Sequence, residues 1–296
     1  MRFGDERESS NFSDDTGNGG LGGGFGGGGL GCLLPLIASR FGIGGVVVLI
    51  IGYFLLSSLG GLGGGGSGSI APGSQVSSPA SQSRLDPATK HFTLQVLAST
   101  EDVWTQLLRP KGINYTPTKL VFYSNSDQSG CGAAQSAMGP FYCPTDKRIY
   151  LDTEFFKELA DRFQAPGQFP EAYVVAHEVG HHVQDLMGSL TQASNLQAQE
   201  NQTAANATQV KIELQADCYA GVWAANAKNP EGQPVMEQGD IEEGMRAAEA
   251  IGDDTLQRQT QGTVVPDSFT HGTSAQRMNA LRTGYQSGEM DACKSL

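Results

Sequence analysis

"PEAYVVAHEVGHHVQDLMG", residues 170–188, is the stretch on which the fold turns. It opens with proline and glutamate, which suit a first helical turn, and carries Val175, Val179, Val183 and Leu186 on one side. It stops at a glycine, so the spacing predicts a helix of about five turns. Three of the chain's five histidines fall inside it. His177 and His181 are four residues apart, which on a helix is about 40° round the axis and one turn along, so both imidazoles can grip one ion.

Glu178 points about 100° away from His177, too far round to be an equal ligand but able to reach a water on that ion. This is the H-E-x-x-H arrangement of zinc hydrolases. A third ligand can come from three places. A third histidine in the extended pattern requires glycine at 184 and histidine at 187, where this chain has Gln184 and Met187. A glutamate from a later helix is the common alternative. "KIELQADCYAGVWAANAK" (211–228) offers Glu213, with Asp217 one turn on to hold a ligand imidazole by its far nitrogen. Ala216, Ala220, Ala224 and Ala227 continue nearly the same face, and with Gly180 on the first helix they favour a close backbone approach. The third candidate, His271, precedes a helix expected to start near Thr273, with Arg277 in its first turns. Imidazole and guanidinium there could stabilise a tetrahedral oxyanion; a surface histidine with an ion-paired arginine is the plain alternative. His182 points away from the ligand face and reads as a packed histidine. His91 carries no assignment.

Composition organises the rest. Forty glycines in 296 residues cluster at 17–31 and 60–69 as linkers. Between them, "FGIGGVVVLIIGYFLLSSL" (41–59) runs nineteen residues without a charge, enough to cross about 30 Å of hydrocarbon as one transmembrane helix. A cleaved signal peptide fits less well, because some forty residues precede the run. Arg2, Arg7 and Arg40 precede it and the next basic residue is Arg84, so the positive-inside bias puts the N-terminus in the cytoplasm. Residues 60–296 then lie on the periplasmic side of a single-pass inner-membrane protein. Cys131, Cys143, Cys218 and Cys293 all lie beyond the run, compatible with two disulfides in an oxidising compartment. Of three connectivities, loop proximity favours Cys131 with Cys143, leaving Cys218 for Cys293; four reduced core thiols are the alternative. Past the run, 16 Lys and Arg stand against 26 Asp and Glu, which argues against nucleic acid as a partner.

The expected organisation is a Gly-rich cytoplasmic segment (1–40), a transmembrane helix (41–59), a linker (60–84) and a domain (85–296). In that domain, 87–108 reads as a helix behind an Asp86 cap. "KLVFYS" (119–124), "GPFYC" (139–143) and "KRIYLD" (147–152) read as strands of a small antiparallel sheet. The chain beyond residue 152 is mostly helical, and its polar stretch 189–209 reads as a mobile connection or an exposed helical hairpin. The fold class is α+β, dominated by helices.

Four runs together resemble one family, the bacterial neutral zinc metallopeptidases: "RESSN" (7–11), "AHEVGHHVQ" (176–184), "ELQADCYAGVWA" (213–224) and "FTHGTSAQR" (269–277). Where members often carry an aromatic pair after the final arginine, this chain has Ala280 and Leu281. Glu213 to Asp217 and His271 to Arg277 also resemble, more distantly, elements of membrane-associated gluzincin peptidases, with Gly272 in place of their proline. The resemblance implies a zincin-like domain holding one zinc on His177, His181 and Glu213, with Glu178 as general base and His271 and Arg277 nearby. The implied activity is endopeptidase cleavage of a peptide or protein by a Glu178-assisted water; peptide-recognition physics alone lays the substrate along an edge strand within 131–143. A zinc-holding scaffold without turnover, or a zinc hydrolase of another amide such as a cell-wall cross-link, uses the same residues.

Overall fold

The computed structural model describes residues 1–17 and 83–295. The run 41–59, expected to span the membrane, lies outside the described residues, as do most of the Gly-rich stretches. Among the described residues no helix is long and apolar enough to cross a membrane.

The elements in chain order are β1 (Phe12–Asp14), α1 (Pro87–Leu108), β2 (Lys119–Tyr123), β3 (Ser126–Ser129), β4 (Gly132–Gln135), β5 (Phe141–Cys143) and β6 (Arg148–Asp152). After them come the helices α2 (Glu154–Asp161), α3 (Gln168–Leu186), α4 (Ser189–Gln197), α5 (Gln202–Asn226), α6 (Asp240–Ala250), α7 (Asp253–Gln261) and α8 (Ser274–Ser287). Local signals placed most of these correctly. Asp86 caps α1 by accepting from the Thr89 N–H at 2.8 Å, Gly188 ends α3 with φ +78°, and Thr273 opens α8 with a capping box to Gln276. The polar stretch 189–209 is a helical hairpin of α4 and the first turns of α5.

The sheet departs from expectation. Its order is β1-β2-β6-β5, with β1–β2 and β2–β6 parallel and only β5–β6 antiparallel; β3 and β4 form a separate antiparallel hairpin. It is therefore mixed rather than antiparallel. The chain between β2 and β6 supplies the crossover that parallel strands need, by way of the hairpin and β5.

Residues 1–17, which the sequence reading separates from the domain, are part of it. β1 pairs with β2 in the register Phe12 to Leu120 and Asp14 to Phe122. Phe3 is buried and meets Phe92 of α1 edge-on. The run 7–11 converges on one buried carboxylate, Glu101 of α1. Arg7 Nη1 reaches it at 2.9 Å, Ser9 Oγ at 2.5 Å and Asn11 Nδ2 at 2.8 Å. Ser83 Oγ donates to Asp14 Oδ2 at 2.5 Å and the Arg84 N–H to Thr16 Oγ1 at 3.0 Å, so residues 14–16 and 83–84 lie side by side. A three-residue strand gives too short an alternation to be read from sequence. Glu101→Ala strips the segment of its shared acceptor, and charge-assisted hydrogen bonds of this kind contribute ~2–3 kcal/mol. The expected result is a drop in Tm of roughly 5–10 °C, measured by thermal denaturation of the full chain; an unchanged Tm would show the segment to be bound only passively.

At the centre, α3 packs against α1, α5 and α6, with β5 alongside. A Cβ at Gly180 of α3 would lie 3.1 Å from the Ala216 carbonyl oxygen of α5, so the two backbones meet as the small residues suggested. α5 in turn crosses α8 at Gly221 and Gly284, where any side chain would overlap the facing backbone. Disulfides join Cys131 to Cys143 and Cys218 to Cys293. The second ties α5 to the short 3₁₀ turn Met290–Ser295.

Candidate metal centre

The α3–α5 contact brings three donor atoms together. His177 Nε2 lies 3.2 Å from His181 Nε2 and 3.2 Å from Glu213 Oε2, and His181 Nε2 lies 3.5 Å from the same oxygen. A tetrahedral zinc holding nitrogen and oxygen at roughly 2.0–2.2 Å sets neighbouring ligand atoms about 3.4 Å apart. The three edges match that figure, so the residues fit the ion. Among the described residues no fourth His, Cys, Asp or Glu joins the group, which is the pattern of a site with an open coordination position rather than a closed structural one.

Each donor is fixed from behind. His177 Nδ1–H donates to Asp217 Oδ1 at 2.8 Å. His181 Nδ1–H donates to Gln184 Oε1 at 2.9 Å, and the Gln184 amide donates onward to the Ile212 carbonyl at 2.8 Å. Gln209 Nε2 donates to Glu213 Oε1 at 2.8 Å, leaving Oε2 for the group. Both rings therefore turn Nε2 inward, the nitrogen that would take a metal in exchange for its proton.

The electrostatics favour a cation. Burial works against charge on His177, but Asp217, Glu213 and Glu178 outweigh it and push its pKa up to about 10. His181 is raised against the same burial by Glu213. Glu213 is held well below the ordinary carboxylate range, again against burial, by His181 and His177, with a further contribution from His271. The carboxylates that favour a proton on these imidazoles favour a divalent ion in its place by the same field.

Asp217 is fully buried and carries four hydrogen bonds. Oδ1 accepts from His177, from Tyr173 Oη at 2.5 Å and from Arg277 Nη2 at 2.9 Å; Oδ2 accepts from Arg277 Nε at 2.8 Å. Arg277 Nη1 also meets the Ile251 carbonyl at 3.3 Å. The guanidinium expected to face a reacting oxyanion is thus committed to Asp217 and acts one layer behind the metal ligands. His271 lies near enough to Glu213 for each to move the other's protonation. Its Nδ1 is 3.4 Å from Asp253 and 3.1 Å from Thr270 Oγ1. His182 is a packed residue, as expected, with Nε2 2.6 Å from the Thr116 carbonyl and Nδ1 3.0 Å from Tyr142 Oη. His91 pairs with Glu8 at 2.6 Å.

Glu178 is 7 % exposed, yet its carboxylate takes part in no hydrogen bond or ion pair among the described residues. A carboxylate with no hydrogen bond or ion pair among the described residues, beside a cation site, is available for proton transfer. Sequence reasoning missed Gln184, Gln209 and Tyr173. The available signal was helical spacing: Gln184 stands three residues after His181, Gln209 four before Glu213, and Tyr173 four before His177, whose partner Asp217 it shares.

Comparison with known proteins agrees with this geometry. The protein "Uncharacterized protein YpfJ" of Escherichia coli K12 is 44 % identical over 299 residues, covering 100 % of this chain and 98 % of that protein. "Uncharacterized protein Rv2575" of Mycobacterium tuberculosis H37Rv is 42 % identical over 236 residues, 76 % of each chain. No solved structure matches the chain. The sequence model of one family matches residues 1–296 from end to end, and the chain belongs to that family, described as "Putative neutral zinc metallopeptidase".

Proposed function

We propose that the protein is a zinc endopeptidase whose ion is held by His177, His181 and Glu213 and whose general base is Glu178. The observation that carries this reading is the three-donor group with tetrahedral edge lengths beside Glu178, whose carboxylate takes part in no hydrogen bond or ion pair among the described residues. Zinc, when bound, supplies a Lewis acid that polarises a peptide carbonyl and acidifies water. Glu178 takes a proton from the attacking water at its carboxylate oxygen and returns it to the leaving amine nitrogen. His177 and His181 would turn Nε2 to the ion, with their Nδ1–H groups held by Asp217 and Gln184. Among the described residues β5 pairs only with β6, which leaves a free edge beside α3 to which an extended peptide can add as a strand.

The two disulfides support an oxidising compartment for the domain. The pairing of β1 with β2, and the adjacency of Thr16 and Arg84, support one compartment for both pieces of chain. Attachment to a bilayer through 41–59 then leaves both flanks on the same face of the membrane, in place of the single crossing favoured by the arginine distribution.

The test uses the full chain, since residues 1–17 belong to the fold. Purified protein is expected to carry one zinc and to cleave an unfolded protein. Chelation removes both properties, stoichiometric zinc restores both, and Glu213→Ala carries little metal. Cleavage that persists in zinc-free protein overturns the reading.

A further inference from the structure

Two glutamines carry a polar chain from the last turn of the described protein to the metal centre. Gln184 of α3 is wholly buried. Its Oε1 accepts from His181 Nδ1–H at 2.9 Å, and its Nε2 has two acceptors on α5, the Ile212 carbonyl at 2.8 Å and Gln215 Oε1 at 3.0 Å. Gln215 is half-buried, and its own Nε2 donates to the Cys293 carbonyl at 3.2 Å. Cys293 belongs to the 3₁₀ turn Met290–Ser295, and its disulfide to Cys218 seats that turn on the helix that carries Gln215 and Glu213. From the outside inward the order is Cys293, Gln215, Gln184, His181.

The two ligand histidines are backed by different chemistry. Behind His177 stands Asp217, whose carboxylate ends in two oxygens and accepts whichever way it lies. Gln184 ends in one oxygen and one NH2. Turned over, it would set its NH2 against His181 Nδ1–H, donor against donor, where a buried polar group left unpaired costs free energy. Its orientation is therefore set from the nitrogen end. Ile212 offers a backbone carbonyl, which only accepts, and the bond to it links α3 to the residue before Glu213. Gln215 could offer either end of its amide. The Cys293 carbonyl, itself only an acceptor, takes the NH2 and leaves Oε1 for Gln184. Each amide fixes the next, and hydrogen bonds in such a series polarise one another.

We propose that Gln215 is a positioning residue of the metal centre: held by the Cys293 carbonyl, it keeps the Gln184 oxygen on His181 Nδ1–H and so raises the affinity of the group His177, His181 and Glu213 for zinc. The proposal rests on the zinc reading above. Among the described residues the Gln215 side chain hydrogen-bonds to Gln184 and Cys293 and to no metal ligand, so its effect passes through Gln184.

Zinc affinity of the full chain, read by competition with a chelator, tests this without reference to turnover. Methionine fills the volume of glutamine and donates no hydrogen bond. Gln184→Met is expected to bind zinc about 10- to 100-fold more weakly, as loss of the partner behind a ligand imidazole does. Gln215→Met is expected to lose about 3- to 10-fold, the effect of one neutral hydrogen bond. The double variant binds no more weakly than Gln184→Met alone, because Gln215 acts through that amide. Cobalt(II) in place of zinc supplies a signature that a general loosening of the fold leaves alone. Its visible bands report the geometry and field of its ligands, and they are expected to shift in Gln215→Met. Unchanged zinc affinity in Gln215→Met, losses that add in the double variant, or lowered affinity with unmoved cobalt bands each overturn the proposal. Gln215 is half-buried, so Gln215→Met keeps the fold and decides the matter by affinity and bands even where Gln184→Met does not survive. A wild type that binds neither zinc nor cobalt fails the metal reading and this proposal with it, whereas a wild type and a Gln215→Met variant that bind zinc equally well fail the proposal alone.

Discussion

Glu178→Gln is expected to leave one zinc per chain in place while turnover of a peptide substrate falls by about 10²- to 10⁴-fold, the range over which a positioned general base acts. The two halves of that expectation have separate causes. Metal is retained because the three donors come from His177, His181 and Glu213, whose backing bonds run to Asp217, Gln184 and Gln209 and never touch Glu178. Turnover is lost because an amide of the same shape cannot accept a proton at neutral pH. The fold survives, since glutamine fills the same volume and, among the described residues, Glu178 holds no hydrogen bond whose loss would strand a partner. Zinc analysis and a cleavage assay on one preparation check both halves. A zinc-free variant would place Glu178 among the ligands, and undiminished cleavage would put the proton transfer on another group.

The range of each interaction along the chain decides how far it could be read from sequence. His177, Glu178 and His181 lie on one helix, where angular position depends on spacing alone, so their grouping was legible. Glu213 and Asp217 were legible because the alanine face around them announced a close helix contact, and Gly180 supplied its counterpart. The disulfide pairing could be inferred from separation along the chain. Strand direction could not, because alternation marks a strand's faces and not which way its neighbour runs; the mixed sheet depends on a crossover and on β1 arriving from the far side of residues 18–82. Arg277 was brought to the centre by its motif with two readings open, facing a substrate oxygen or ion-paired, since the choice depends on the tilt of α8 against α5; the guanidinium pairs with Asp217. Asp253, which accepts the backbone N–H groups of Thr270, His271 and Gly272, carries no periodic signal at all, because that contact exists only where α7 ends up beside their loop.

The second large effect is expected at that arginine. Arg277→Met removes a guanidinium that is 4 % exposed and holds both oxygens of a fully buried carboxylate. Breaking a buried pair by deleting one partner costs ~3–5 kcal/mol, because the remaining charge stays desolvated and uncompensated. Thermal denaturation is therefore expected to show a severe loss of stability. Zinc affinity falls as well, by about 10- to 100-fold, because Asp217 can no longer hold His177 Nδ1 with the same charge and direction. The companion variant separates the two consequences. Arg277→Met combined with Asp217→Leu replaces the pair by apolar side chains and is expected to recover much of the stability, as such replacements commonly do. Zinc affinity does not recover, because His177 has now lost its acceptor altogether. If instead both properties return together, the pair serves only packing, and His177 is oriented by the metal itself. If stability falls in the single variant while zinc binding is untouched, Asp217 holds His177 without help from Arg277, and the chain of contacts from α8 to the metal is broken at its first link.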